Sequence, residues 1–435
     1  MIRLTPLAVA FLLATAPVVR SSPAPLPADP VLALDTRMIL LAPTGATRDD
    51  REIARWQDRV RLRPAQADGY ERLGWAYVTK ARTTLDAGYY KLAEKTADVV
   101  DARFGATPDS RLLRGHILHN LHRFAAAEQV ARRLVAERGL AFDYALLSDA
   151  LMEQGKIAEA VAACAHEMAL KPGLEAYSRA ANLRWLTGDL SGAIVAMEAA
   201  AKAGSPLDAA NSAWTLARLS GYYLQAGQAG RAALVAGESL HFVPDYPLGL
   251  LARARAAQAL GFTGAALPDF ERAAALNPLP EYQWWLADAL RSTGRVSEAT
   301  RIEEQLNRRG AAADPRTFAL YLSTRQEEPA AALRLAREEI ANRDDVLTRD
   351  ALAWAMLRGG DAPGAAAVMR TVLAQGTEDA RLFLHAGEIA RTQGELAAAQ
   401  KWFAAARPFA ATLTPSERRL LQTRLGTEPA LARLN

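Results

Sequence analysis

Two positions recur along this chain at a fixed interval, and that recurrence limits the fold more than any other feature. A turn slot falls at His122, Gly155, Gly188, Gly227, Gly261, Gly294, Glu327, Gly360 and Gly394. The intervals are 33, 33, 39, 34, 33, 33, 33 and 34 residues, the long one covering an extended connection around Gly204-Ser205-Pro206. Five residues after every slot stands an alanine: Ala127, Ala160, Ala193, Ala232, Ala266, Ala299, Ala332, Ala365 and Ala399. Self-similarity at this period marks an array of one small supersecondary unit. Such a unit cannot bury both of its faces alone and needs copies of itself on either side.

The most regular copy, Leu248 to Pro278, reads as two helices and a turn. Leu250, Leu251, Ala254 and Ala257 recur at helical spacing, and Gly261 breaks the chain. Ala266, Phe270 and Ala273 give a second apolar stripe before Pro278. Small residues at Ala254, Gly261 and Ala266 allow close helix packing, and Phe270 fills the gap. These positions, with Leu147, Leu151, Gly155, Ala160 and Pro172 in one copy and Gly387, Gly394, Ala399, Phe403 and Ala406 in another, resemble the tetratricopeptide repeat (TPR), a 34-residue helical hairpin. An earlier, stretched copy begins at Tyr70 and carries extra residues, Thr83 to Gly88, before its second helix. The resemblance covers about ten copies over residues 66–411. It implies an all-α, right-handed α-solenoid of about ten TPR-like helical hairpins. His122 and Glu327 replace the turn glycine in two copies, and Pro268 lies deep enough in its helix to distort the first turn.

The flanks read as caps. Thr47-Arg48-Asp49-Asp50 is an N-cap signal, and the charged helix after it, through Ile53, Trp56 and Val60, ends before Pro64. Residues 48–65 are therefore an N-terminal capping helix. Thr414-Pro415-Ser416-Glu417 is a capping box with proline at the first helical position, so residues 412–435 form a C-terminal capping helix. Residues 23–47, rich in proline and small residues, read as an extended linker. Within it the cluster Leu32, Leu34, Met38, Ile39, Leu40 and Leu41 is available to dock on the body or on a partner. At the start, Arg3 followed by the apolar run Leu4–Ala14 and by Ala14-Thr15-Ala16 has the pattern of a signal peptide over residues 1–22. Export to the periplasm or the exterior is expected, with membrane anchoring if the segment is retained.

The chain has 435 residues and a formal net charge of +4; without residues 1–22, which hold Arg3 and Arg20 and no acid, the charge is +2. So weak a bias gives no case for nucleic acid. The lone cysteine, Cys164, sits on an apolar helical face and excludes any disulfide within the chain. Phosphate-binding glycine loops, nucleophile elbows and H-E-x-x-H pairs do not occur, and no segment outside the repeats is long enough for a catalytic domain. No enzyme activity and no cofactor are expected. His116, His119 and His122 are spaced three apart, which puts two imidazoles on one helical side as a candidate transition-metal pair; an ordinary polar surface is the commoner arrangement.

In proteins that this chain resembles, first helices line a concave groove. Carried over position by position, the candidate groove set is His116, His119, Asn120, Trp185, Trp214, Arg255, Trp284, Arg291, Tyr321, Arg325, Trp354, Arg358 and Arg391. Aromatics, amides and arginines are the composition of a protein interface, with some of the aromatics expected to wedge between hairpins. Arg255, Arg291, Arg325, Arg358 and Arg391 would form a ladder suited to an acidic or carboxylate-bearing ligand. The resulting expectation is a non-enzymatic scaffold binding a protein or peptide in the groove, with envelope association through the N-terminal segment and no small-molecule ligand. The alternative is a small-molecule or polysaccharide-associated component of an envelope assembly.

Overall fold

The computed structural model describes residues 30–84 and 86–426. It contains α-helices and short 3-10 turns, and no strand among the described residues. After α1 (Pro30–Ile39) and α2 (Arg48–Leu62) come ten antiparallel hairpins. The first five are α3/α4 (Ala67–Thr84, Gly88–Phe104), α5/α6 (Pro108–Asn120, Phe124–Glu137), α7/α8 (Ala141–Glu153, Ile157–Leu170), α9/α10 (Leu174–Leu186, Leu190–Lys202) and α11/α12 (Ala209–Gln225, Ala229–Phe242). The second five are α13/α14 (Pro247–Ala259, Thr263–Leu276), α15/α16 (Pro280–Ser292, Val296–Ala313), α17/α18 (Pro315–Arg325, Pro329–Ile340), α19/α20 (Val346–Arg358, Ala362–Ala374) and α21/α22 (Ala380–Thr392, Leu396–Ala406). A 3-10 turn (Arg407–Thr412) and α23 (Pro415–Leu425) end the described residues. The protein is an all-α solenoid of TPR-like hairpins.

The repeated register has a physical cause in each hairpin. All nine alanines are at most 1% exposed, because they sit where the two helices of a hairpin come closest. The seven turn glycines have φ between +69° and +90°, a region that glycine enters without penalty. His122 adopts φ +57° in the same role. The eighth hairpin differs: the positive φ falls at Gln326 (+59°) and Glu328 (+41°), on either side of the expected slot at Glu327, and α17 has only 11 residues. Pro268 lies inside a continuous α14.

The caps form as their sequences require. Thr47 and Asp50 make a reciprocal capping box at α2, and Thr414 with Glu417 makes another at α23. Asp50 also pairs with Lys80 of α3, both nearly without solvent. The stretch 23–47 differs from the extended linker expected of it. Its described part, from residue 30, contains α1, packed against α4. Gln57 donates to the Ile39 and Leu41 carbonyls (3.0 and 2.7 Å) and Tyr77 donates to Ile39 (2.7 Å), so the apolar cluster outweighs the prolines around it. Residues 1–29, which hold the expected signal segment, and 427–435 lie outside the described residues.

The solenoid curls until its last third meets its own inner face. First helices α15, α17, α19, α21 and the cap α23 lie close to one another. Trp284, Phe318, Tyr321, Trp354 and Leu382 form one buried cluster between them. The connectors that follow α18, α20 and α22 then reach earlier hairpins. Arg343 pairs with Glu153 (2.8 Å) and lies 3.2 Å from His122 Nε2. Thr377 Oγ1 and Gln375 Nε2 both donate to the Leu186 carbonyl (2.6 and 3.2 Å). Gln225 donates to the Glu378 carbonyl, and Arg255 donates to the Thr412 carbonyl (3.2 Å). The Ser416 N–H donates to Asp288 (2.8 Å).

Candidate functional site

This closure splits the expected groove into two unlike halves. In hairpins seven to ten the inward positions are core. Trp284, Tyr321 and Trp354 are at most 2% exposed. Trp284 packs edge-on to Tyr321 (centroids 5.8 Å) with Arg381 over its ring (5.3 Å). Trp354 stacks on the buried His385 (4.0 Å), donates to Thr324 (3.1 Å), and carries Arg358 over its ring at 4.0 Å. His385 Nδ1 in turn lies 2.9 Å from Asp350 Oδ1. Where first helices converge, an inward aromatic has protein on every side and fills space between hairpins.

The arginine ladder is absorbed by the fold in the same way. Arg291 is held bidentately by Glu303, and Arg325 lies between Glu303 (3.7 Å) and Glu327 (3.4 Å). Arg391 pairs with Glu388 (3.0 Å), which Arg424 of the C-terminal cap also holds. Arg255 stacks over Trp285 (4.8 Å) besides donating to Thr412. Arg358 has an acid, Glu388, only at longer range, and burial lowers its pKa. These five side chains therefore do not stand as a row of free cations. Sequence places them correctly on first helices. It does not reveal that Glu303 on second helix α16, Glu327 in a turn and Glu388 on first helix α21 reach these side chains.

The N-terminal half of the concave side keeps its aromatics and imidazoles only half-buried. Trp75, His116, His119, Asn120 and Trp185 are half-buried. His116 sits edge-on to Trp75 (5.1 Å), and His119 edge-on to Phe124 (5.3 Å). Asn120 is committed on both sides: its Nδ2 donates to the His116 carbonyl (2.7 Å) and its Oδ1 accepts from Tyr90 (2.8 Å). His119 Nε2 and Trp185 Nε1 are shielded from solvent and have no hydrogen-bond partner, and the same holds for Trp284 Nε1 and His385 Nε2 in the C-terminal half. Trp214 of α11 is exposed. Burial pushes the His116 pKa down to about 3, with the positive Arg82 adding to the effect. Burial, followed by Arg343, brings His122 to about 4, and burial also lowers His119 against the pull of Asp149. All three imidazoles are thus neutral at pH 7. Among the described residues no three His, Cys, Asp or Glu side chains gather as a metal site, and His122 is turned toward Arg343 and stacked on Phe124 (5.4 Å).

Two features of this half are hidden from sequence reading. Arg179 makes a two-point contact with Asp149 (2.6 and 2.8 Å) and also reaches Glu167, tying the fourth hairpin to the third. Burial alone would raise the Asp149 pKa, but Arg179 more than offsets it, so Asp149 is held low and ionised. The other feature is the pair of polar connectors, residues 341–345 and 375–379, which touch the turns of hairpins two to four. They are five residues long, against three at 138–140, 171–173 and 277–279, but the links 203–208 and 243–246 also exceed three, so length does not mark them.

Hairpin geometry, buried alanines and left-handed turn residues together define a TPR-like repeat protein. No known protein family matches the chain by profile, and no curated protein matches it in sequence. Among solved structures, a human IFIT1 dimer with PPP-AAAA is 12% identical and covers 89% of this chain and 96% of its own, with a TM-score of 0.47. The Cut9–Hcn1 hetero-tetramer of the APC/C is 12% identical, with 90% and 98% coverage and a TM-score of 0.37. A tetratricopeptide repeat protein from Parabacteroides merdae is 18% identical over 58% of this chain and 98% of its own, at 0.32. These likenesses are to the repeat architecture and say nothing of a ligand.

Proposed function

We propose that the protein is a non-enzymatic scaffold of the cell envelope that holds a protein or peptide on the concave side of hairpins one to five. The observation that carries this reading is the contrast between the two halves. The C-terminal half spends its inward aromatics and arginines on its own core. The N-terminal half keeps Trp75, His116, His119 and Trp185 half-buried and Trp214 exposed. Half-buried aromatic side chains are what a protein interface is enriched in. Neutral imidazoles beside them present no charge to repel either sign of ligand.

A photocrosslinking residue placed at His119, and in a second variant at Arg334 on exposed α18, tests the site. A discrete adduct from His119 alone is the expected result. Adducts from Arg334 only, or equally from both, would remove the concave reading. Export rests on the Leu4–Ala14 run and Ala14-Thr15-Ala16, and is tested separately by locating a C-terminal fusion with and without residues 1–22. A cytoplasmic signal from both forms would end the envelope assignment.

A further inference from the structure

Three arginines meet a single acid where the last two hairpins reach the C-terminal cap. Trp354 of α19 stacks on His385 of α21 (4.0 Å). One turn further along these two helices stand Arg358 and Glu388, and Arg391 follows one turn after Glu388. Arg424, in the last turn of α23, reaches the same carboxylate from the cap. Glu388 Oε2 accepts from Arg391 (3.0 Å) and from Arg424 Nη2 (3.3 Å), and its Oε1 accepts from Arg424 Nε (2.5 Å). Both carboxylate oxygens are therefore spent on two of the three arginines. Arg358 lies over the Trp354 ring at 4.0 Å and makes no hydrogen bond or ion pair among the described residues.

Charge is left over here. Three positive groups against one negative give a local charge of +2 (3 − 1). Among the described residues Glu388 is the one acid that acts on Arg358 or Arg424. Burial lowers the Arg358 pKa, Glu388 does not offset it, and Arg391 and Arg424 add to the lowering. Other half-buried arginines are matched more fully: Arg381 is held bidentately by Glu417, and Arg179 is shared by Asp149 and Glu167. The cluster is also open to water. The Arg391 and Arg424 side chains keep 40 and 28% exposure, and Cβ atoms built on the nearby turn glycines Gly360 and Gly394 meet nothing within 4 Å.

We infer that Arg358, Arg391 and Arg424 bind a phosphate dianion, free or as a terminal monoester, at the junction of α19, α21 and α23. A phosphate group brings a charge of about −1.5 to −2 at pH 7 and three acceptor oxygens, which matches the surplus charge and supplies one oxygen for each arginine. A carboxylate brings one negative charge and leaves the surplus half neutralised. Planar guanidinium forks suit phosphate oxygens, and Arg358, already held against Trp354, has little freedom left to lose on binding. The site lies apart from the concave side of hairpins one to five and does not depend on the function proposed for it.

The test is calorimetric titration of the full chain with inorganic phosphate, phenyl phosphate and benzoate at one low ionic strength. The two phosphates should bind at a single site, and benzoate at least about tenfold more weakly. Whichever phosphate binds tighter names the source, free ion or monoester, and either agrees with the inference. Arg391→Gln should weaken phosphate binding at least about tenfold with the helical circular dichroism unchanged, while Arg334→Gln on exposed α18 leaves it as it was. Glu388→Gln removes the competing acid and should tighten binding, a gain that a purely structural cluster would not show. Absence of binding, equal affinity for benzoate, or an equal loss in Arg334→Gln would overturn the inference. So would a Glu388→Gln variant that fails to tighten while its α23 amides stay as protected as in the wild type. Glu428→Gln, four residues beyond Arg424, should leave the affinity unchanged; a gain of tenfold or more would assign the arginines to the chain's own carboxylate and overturn the phosphate reading.

Discussion

Closure of the solenoid on itself can be weighed by comparing two glycines. Gly188 and Gly261 occupy the same turn slot, with φ +84° and +89°. A methyl group added at Gly261 meets nothing within 4 Å, whereas one added at Gly188 would stand 2.5 Å from the Gly376 carbonyl oxygen. Gly261→Ala therefore costs only the left-handed conformation, roughly 1–2 kcal/mol. Gly188→Ala costs that and also forces the 375–379 connector away, breaking the hydrogen bonds from Thr377 and Gln375 to Leu186. At about 0.5–1.5 kcal/mol each, the two bonds add about 1–3 kcal/mol. Repeat arrays open in segments, so a global melting curve would blur this difference, and local hydrogen exchange is the suitable assay. The expected result is about 5- to 150-fold faster exchange of the amides in 375–379 for Gly188→Ala than for Gly261→Ala, with a larger radius of gyration by small-angle scattering. Equal exchange and equal size for the two variants would refute the closure.

Four further outcomes are expected. Asp50→Ala leaves Lys80 buried without a counter-ion and removes the α2 cap; a loss of about 3–5 kcal/mol should appear as early proteolysis of the N-terminal hairpin, and Asp50→Leu with Lys80→Met should restore most of it. Burial pushes the Glu417 carboxyl up, but Arg381 and the Thr414 backbone more than offset this, so its folded pKa lies below the ordinary 4.5. The stabilisation it gives the C-terminal cap is full above that pH and fades as pH falls through the lowered value; exchange of α23 amides should accelerate only on acidification, and Glu417→Gln should flatten that dependence. Gly387→Ala drives a methyl group into the Phe403 ring, costing about 1–3 kcal/mol against the roughly 1 kcal/mol gained in helix propensity, so a net loss is expected in urea titration. Gly221→Ala, with nothing within 4 Å, should instead gain up to about 1 kcal/mol in the same titration.

What could be read in the sequence is what depends on neighbours within one hairpin. The alanine five residues past each turn is set by the contact between two helices joined by that turn, so its period survives in the one-dimensional pattern. The capping boxes at Thr47 and Thr414 are equally local. α1 is not legible as a helix because the prolines in and around it point to a linker, while the bonds that hold it come from Gln57, Tyr77 and Lys95, up to 60 residues away.

The candidate site shows the same division more sharply. The family resemblance, carried over along the repeat register, placed the inward-facing residues on first helices, from His116 through Arg391. Whether that side meets water or protein is set by how much each hairpin rotates on the last, a small angle summed over ten units. Tertiary structure therefore decided that Trp284, Tyr321 and Trp354 are core, that Glu303 and Glu388 pair with Arg291, Arg325 and Arg391, and that His116 and Trp185 stay half-buried. It also decided that Gly188 and Gly376, 188 residues apart in the chain, meet face to face. No local pattern encodes such a contact, because it is the accumulated curvature of every hairpin between them.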